Sequence, residues 1–465
     1  MPVNSFDNYP MTWKPDLSRA ESPLYLALAE LLEEDIKKGI LQPGTKLPPQ
    51  RELADFLDIN LSTVSRAFRI CGQKGLLSSS VGNGTYVSSD AAADKIFVCG
   101  KENPQLIEMG GIYPHAEANL KVQQFAEQLL KGKDSLKLFS YAEPRGTIKQ
   151  REAGVAWFQK MGFHTDSEHI LLAAGGQNAL TAVLCGLFKQ GDKIGTDYVT
   201  YPGIKMAAKM AGVQLVSVQY ENYEMTEEGI NYAIQNENIK GIYIMPDFHN
   251  PIGHIMSSET RKMIAEVSEK NDLIVIEDAI NNLLKANENL LPPVAAFAPE
   301  QVICLASLSK TVAPGLRTAF IHVPRKYHPA LDAALYTMNI SNPAVLTAVA
   351  AGLIENGTAD EIITERRLEI AKRNTIANKI LKEYLSPSEL SCPFRWLLLP
   401  EHFTGEEFEI CAGKAGVEVF GAERFTVGNK PADRAVRISV ITPPTAEILS
   451  EGLERLKKIL VRHMR

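Results

Sequence analysis

Lys310 is the residue around which the sequence's chemistry gathers. It ends Ser307-Leu308-Ser309-Lys310, directly after a β-type run closing at Ala306. Most lysines are solvated surface groups. One placed at a strand end among apolar residues is desolvated, which lowers its pKa and makes the amine a nucleophile toward an aldehyde. Ser307, Ser309 and Arg317, at the end of the following Thr-Val-Ala-Pro-Gly-Leu-Arg, form a donor set suited to phosphate. Asp278 follows the apolar run 273–277, where a carboxylate is costly unless paired. A protonated pyridine nitrogen would pair it; a helix N-cap is the structural alternative. Gly175-Gly176-Gln177 joins a strand run to a helical run, where free N–H groups and the helix dipole favour an anion. Asn250, before Pro251 and Gly253, is held at a strand end with an amide free to donate. Tyr201, in Val-Thr-Tyr-Pro-Gly, either stacks on an aromatic ligand or packs half-buried. Together the five segments point to pyridoxal 5′-phosphate.

Such segments need a frame. Short β-rich runs at 170–174, 192–196, 214–219, 241–245, 273–277, 302–306 and 319–323 alternate with amphipathic stretches such as 257–271. This alternation predicts βαβ units and a mainly parallel sheet over 106–465. A sheet of that kind binds its ligand outside the carboxyl ends of its strands, where the five segments fall.

The first part of the chain has a different texture. Residues 24–40 carry apolar positions at helical spacing, and Pro43-Gly44 turns the chain. Pro48-Pro49 start a short helix, 50–57. Residues 58–60 form a tight turn, 61–74 a second helix, and a hairpin surrounds Gly82-Asn83-Gly84. This is the order of a winged helix-turn-helix. Residues 14–87 carry nine Lys/Arg and nine Asp/Glu, but 59–89 contain no acid, so the second helix and the wing form the positive side. Ser62, Thr63 and Arg66 lie on its first turns and are placed to reach base edges or phosphates. Arg51 is placed to grip a phosphate, and Gly84 to bring backbone near a groove. A small helical unit for protein contact is the alternative. Residues 89–105 read as a linker, spanning on the order of 20–25 Å as a flexible coil.

With 465 residues the chain holds several structural units. Hydrophobic residues at 45% and charged residues at 22% exclude a disordered or fibrous chain. The net charge of 49 − 55 = −6 excludes a generally basic nucleic-acid coat, so any DNA site is local. Six cysteines without CxxC spacing argue against a disulfide framework or zinc site and fit a reducing cytoplasm. The start Met-Pro-Val-Asn-Ser predicts no signal peptide. The longest apolar stretch, 344–354, falls short of the roughly 18 residues that suggest a membrane span.

The N-terminal unit resembles the GntR family of bacterial regulators through Pro43-Gly44, Leu47-Pro48, Arg51, Leu53-Ala54, Thr63-Val64, Ala67, Gly75-Leu76 and Gly82-Asn83-Gly84-Thr85-Tyr86-Val87. Leu61 stands where that family carries a DNA-contacting arginine, so a changed operator or affinity is expected. The remainder resembles the fold type I aminotransferases in its order of phosphate loop, stacking aromatic, Asn-Pro-x-Gly, Asp, Lys and Arg. The resemblance implies an α/β domain with a smaller C-terminal α/β subdomain. It makes Lys310 the catalytic Schiff-base lysine, Asp278 the partner of the pyridine nitrogen, Asn250 the donor to the ring oxygen and Tyr201 the stacking ring. Gly176, Gln177, Ser307, Ser309 and Arg317 become the phosphate cup, with Tyr141 reaching the phosphate of the neighbouring subunit and Arg437 clamping a substrate carboxylate. Many relatives carry a tyrosine two or three residues after the aspartate; here those positions are Ile280 and Asn281, which argues against efficient transamination.

A winged helix-turn-helix fused to such a domain resembles the MocR subgroup of GntR regulators. The resemblance implies a cytoplasmic transcription factor on double-stranded operator DNA. It also implies a homodimer with domain crossover and an effector that is an amino acid, an amine or the cofactor itself. A working aminotransferase and a pure cofactor sensor remain as alternatives.

Overall fold

The computed structural model describes residues 12–18, 22–42, 44–80, 84–88, 106–114, 119–286, 290–428 and 431–462. Pro43, the wing tip at 81–83 and the linker expected at 89–105 lie outside the described residues.

The N-terminal unit contains α1 (Leu24–Lys37), α2 (Gln50–Leu57), α3 (Leu61–Gln73), β1 (Leu77–Ser80) and β2 (Gly84–Val87). Leu28, Leu32 and Ile36 of α1 and Val64, Ala67, Phe68 and Cys71 of α3 recur at helical spacing and share one core with Trp13. Helix α1 ends three residues before the expected Ile40, because Gly39 adopts φ +76° and Ile40 N–H turns back to the Asp35 carbonyl. The turn between α2 and α3 is built by Asp58 in the left-handed region and by Asn60, whose Oδ1 accepts from Ser62 N–H at 2.8 Å. Strands β1 and β2 pair antiparallel, Leu77 opposite Val87.

The larger part begins with β3 (Ile107–Glu108), α4 (Asn119–Leu130), α5 (Ile148–Lys160), β4 (Ile170–Ala173), α6 (Gly176–Leu187), β5 (Lys193–Thr196), α7 (Pro202–Ala211) and β6 (Gln214–Ser217). It continues with β7 (Tyr220–Glu221), β8 (Glu224–Met225), α8 (Glu227–Tyr232), β9 (Ile239–Ile244), α9 (Ser258–Asn271), β10 (Ile274–Asp278), β11 (Val302–Ser307) and β12 (Ala319–His322). Seven strands form one sheet in the order β4-β12-β11-β10-β9-β5-β6. The pairs joining β11, β10, β9, β5 and β6 are parallel, and β12 runs antiparallel to both neighbours. The strands are apolar without alternation because both faces are covered: Val302, Cys304 and Ala306 enter one core, Ile303 and Leu305 the other. Asp278 is the last residue of β10 rather than the first after it.

Helices α10 (His328–Asn339), α11 (Ala344–Glu355) and α12 (Thr358–Leu381) lead to a smaller subdomain. It holds β13 (Phe394–Leu398), α13 (Gly405–Lys414), β14 (Val417–Glu418), β15 (Phe420–Gly421), β16 (Ala435–Ser439) and α14 (Ala446–Arg462). Its antiparallel sheet has the order β13-β16-β15, and β14 pairs with β3, so the chain just after 89–105 is built into this subdomain.

Candidate functional site

The site forms where β10 and β11 end. Lys310 is half-buried beyond β11 and donates from Nζ to the Ile112 carbonyl at 2.5 Å. Burial, then the positive charges of Arg437, Arg317 and Arg366, lowers its pKa to about 8. Arg366 of α12 donates to the carbonyls of Thr311 and Val312 at 3.2 and 2.7 Å and so fixes the turn after the lysine.

Asp278 is 4% exposed. Its Oδ2 accepts from the Tyr243 hydroxyl at 2.9 Å, whereas its buried Oδ1 has no hydrogen-bond partner among the described residues. Burial raises its pKa to about 6 against the opposing pull of Tyr243 and the Ile280 N–H. Tyr243 was not singled out from the sequence. The available signal was a phenol inside an otherwise aliphatic buried strand.

Gly175, at φ +94°, caps α6 and brings Gly176 and Gln177 to its first turn. The Arg317 guanidinium lies where a side chain on residue 175 would be, so only glycine admits it. Arg317 donates to the Ala174 carbonyl at 3.3 Å and to Ser309 Oγ at 3.4 Å, and Ser307 Oγ donates to Ser309 Oγ at 3.2 Å. Helix N-terminus, two hydroxyls and guanidinium thus converge as an anion cradle. The Gln177 side chain serves a different group. Its Nε2 donates to the Gly203 carbonyl at 2.9 Å and its Oε1 accepts from the Tyr201 hydroxyl at 3.2 Å. Gln177 therefore offers an anion its backbone, while its amide orients Tyr201. Burial, then the charge of Asp278, pushes the Tyr201 phenol up to about 12.

Arg437 lies on β16 and is buried. It donates through Nη1 to Asn250 Oδ1 at 2.7 Å and through Nη2 to the Gly110 carbonyl at 2.5 Å. The first bond decides which end of the Asn250 amide remains a donor. The rings of Phe425, Phe420 and Phe394 surround the guanidinium at 4.8, 5.5 and 5.9 Å, and Nε is buried without a hydrogen-bond partner among the described residues. Burial lowers the Arg437 pKa to about 9.

The loop carrying Asn250 rests on buried charge. Asp247 accepts from Arg261 at 2.6 Å, from Asn282 at 2.7 Å and from Lys285. His249 Nε2 lies 3.2 Å from Asp197 Oδ2, another pair that sequence reasoning missed. Asn281 is buried and donates to the Phe248 carbonyl at 3.3 Å, so its amide serves this loop. Tyr141 is not brought to the cluster. It is 84% exposed, in a stretch that also exposes Leu136 and Phe139.

On the N-terminal unit, Arg51, Ser62 and Arg66 are exposed and Thr63 is half-buried on the first turns of α2 and α3. The Arg66 guanidinium stacks 3.7 Å from the Tyr25 ring centroid, which holds it on the surface in one place. Gly84, at φ +98°, packs against the Lys46 side chain. Leu61 leaves an apolar side chain on the exposed start of α3. Arg66→Ala is expected to lower the slope of log K against log salt on duplex DNA by about 1. An unchanged slope in fluorescence anisotropy would place Arg66 off the interface.

Fold and site together define a protein class: a winged helix-turn-helix joined to a fold type I aminotransferase-like domain. Residues 24–87 match the bacterial regulatory proteins of the gntR family, and residues 109–456 match aminotransferase class I and II. The chain is 48% identical over 461 residues to the uncharacterized HTH-type transcriptional regulator YdeF of Bacillus subtilis, covering 99% of both chains. It is 23% identical over 365 residues to the HTH-type transcriptional regulator NorG of Staphylococcus aureus, covering 72% of this chain and 81% of that one. Among solved structures, an archaeal alanine:glyoxylate aminotransferase superposes with a TM-score of 0.74 at 22% identity, over 84% of this chain and 98% of that one. The kynurenine aminotransferase of Pyrococcus horikoshii gives 0.72 at 21% identity, over 78% and 93%. The chain belongs to the class I and II aminotransferase family through its large domain, and the joining of that domain to a GntR-type N-terminal domain is consistent with the MocR subgroup of GntR regulators.

Proposed function

We propose that this protein is a DNA-binding transcriptional regulator whose large domain holds pyridoxal 5′-phosphate on Lys310 and responds to an amino acid or amine. The observation that carries the reading is the buried Oδ1 of Asp278, without a hydrogen-bond partner among the described residues, on the strand beside the one that leads to Lys310. A buried carboxylate oxygen calls for a cationic partner, and a protonated pyridine nitrogen is one. The other donors fit the same group. The cradle of Gly176, Gln177, Ser307, Ser309 and Arg317 suits its phosphate, Tyr201 its ring face, and the Asn250 amide its ring oxygen. When bound, the cofactor supplies an electrophilic carbonyl carbon and an electron-accepting ring. Lys310, with its pKa near 8, keeps an appreciable neutral fraction for attack. Asp278 holds a proton on the ring nitrogen, and Arg437 binds a carboxylate.

The exposed apolar run of Leu136, Phe139, Tyr141 and Ile148 supports a homodimer in which Tyr141 serves the partner's phosphate cradle. A domain crossover suits the linker length. Among the described residues no helix is long and apolar enough to cross a membrane, and the binding of operator DNA proposed here calls for a cytoplasmic protein. A ligand and DNA that each favour one arrangement of the two domains are linked, and the factor by which the ligand changes DNA affinity equals the factor by which DNA changes ligand affinity.

The test titrates the cofactor-loaded protein with amino acids and amines, following visible absorption and, in parallel, DNA affinity. One ligand that shifts the spectrum to a stable end point and changes DNA affinity supports a sensor. Sustained production of 2-oxo acid with no effect on DNA supports an aminotransferase instead. Arg437→Met is expected to weaken carboxylate ligands about thirtyfold or more while leaving simple amines unchanged, because it removes one partner of a buried charge pair. Equal losses for both ligand types in the spectral titration would remove Arg437 from the carboxylate site.

A further inference from the structure

Residues Met109–Tyr113 form a strap over the site. The Gly110 carbonyl accepts from Arg437 Nη2 at 2.5 Å, and the Ile112 carbonyl from Lys310 Nζ at 2.5 Å. Between them, Thr442 Oγ1 donates to the Gly111 carbonyl at 2.8 Å and accepts from Tyr113 N–H at 3.0 Å. One short segment thus holds both cations that the functional reading assigns to ligands. Its upstream end is fixed differently. Met109 N–H donates to the Glu418 carbonyl at 3.0 Å, and the Met109 carbonyl accepts from Ser439 N–H at 2.6 Å. Met109 is therefore an anchor, and the part that faces the site starts at Gly110. Glycine is required there, because a Cβ would meet the Phe420 ring at 2.5 Å.

We propose that Gly110–Tyr113 is a built-in competitor for the ligand, displaced from Arg437 by the α-carboxylate of an amino acid. This rests on the functional reading above and narrows it, since the effector must carry a carboxylate. Of the guanidinium nitrogens, Nη1 is held by Asn250 and Nε is enclosed by the surrounding aromatic rings. Nη2, now on Gly110, is the one for which strap and ligand compete. A carboxylate wins because it brings a full negative charge to the guanidinium, where the Gly110 carbonyl brings only the dipole of a neutral acceptor. An amine without a carboxylate leaves the Gly110 contact in place. The strap is one two-residue strand, β3, away from the segment that leads back to the DNA-binding unit. Met109 and β3 hold that end in place, so the release is confined to Gly110–Tyr113.

The experiment uses the full chain and two reduced adducts, phosphopyridoxyl-alanine and phosphopyridoxyl-ethylamine, which differ only in the carboxylate. Binding is measured by calorimetry and strap opening by hydrogen exchange of the 109–114 segment. Both adducts should bind, and only the alanine adduct should speed exchange at 110–113, by about tenfold. Thr442→Val, which cuts the strap's own anchor, should bind the alanine adduct several-fold tighter and the ethylamine adduct as before. Binding of both adducts with an unchanged strap overturns this inference and leaves the functional reading intact. Binding of neither overturns both.

Discussion

Lys310→Ala is expected to leave the protein unable to retain pyridoxal 5′-phosphate through gel filtration, while the wild type elutes with the cofactor bound. Covalent attachment needs an amine, and the remaining contacts in the cradle are hydrogen bonds that exchange with water. A loss of at least about a hundredfold in affinity is expected, a little under 3 kcal/mol. Cofactor released by alkali from the eluted protein measures it. Undiminished retention by the alanine variant would place the attachment elsewhere. The wild-type attachment rate carries a second signature. The neutral amine is the reactive form, and the Lys310 pKa stands near 8 rather than at its ordinary 10.5. The rate should therefore level off above about pH 8 and fall about tenfold per unit below it. A surface lysine would keep rising to pH 10.

Asp278→Asn is expected to move two properties in opposite directions. Without a cationic partner, the ionised Asp278 carboxylate is a burden on the fold, since burial raises its pKa from the ordinary 3.8 to about 6. A raised carboxyl contributes stability that is present below about pH 4 and lost as the pH climbs through about 6. At neutral pH the cost reaches about 3 kcal/mol, at 1.36 kcal/mol per pH unit. Asparagine is neutral and accepts from Tyr243 in the same way. The cofactor-free variant should thus unfold at higher temperature than the wild type at pH 7.5, and the difference should vanish near pH 4. Cofactor affinity should fall about a hundredfold or more, because the ring nitrogen loses its buried anion. A variant that is both less stable and unimpaired in binding would show that Asp278 serves the fold alone. The combination expected here is the common signature of a functional site that is costly to hold ready.

The chain order of the site was legible because each part is encoded locally. Lys310 follows a continuous apolar strand, and Gly175-Gly176 separates a strand from a helix. The two-unit organisation was legible for the same reason. Apolar spacing, a proline start and the Asp58–Asn60 turn specify helix-turn-helix without reference to anything distant. Element ends moved by a few residues where a single cap decided them, as Gly39 did for α1. The antiparallel β12 carried no local mark, since a strand buried on both faces reads alike in either direction.

Hydrogen-bond partners were not legible. Gln177 was read for its backbone N–H, and no local mark showed that its side-chain amide is taken by Tyr201 and Gly203, some 25 residues further along. Asn281 stands where many relatives carry a phenol, and no local mark showed that its amide donates to the Phe248 carbonyl. Tyr243 lay unremarked in a buried strand, although it sets one oxygen of Asp278, the other having no hydrogen-bond partner among the described residues. The strap is the furthest case, because Gly110 and Arg437 are separated by 327 positions. Residue types and short-range spacing state which groups are available and which elements carry them, because propensity, capping and periodicity act within a few residues. Which donor meets which acceptor depends on how the small subdomain packs on the large sheet. That packing is set by burial summed over the whole chain, so only the folded molecule shows that Lys310 and Arg437 are both held by one strap.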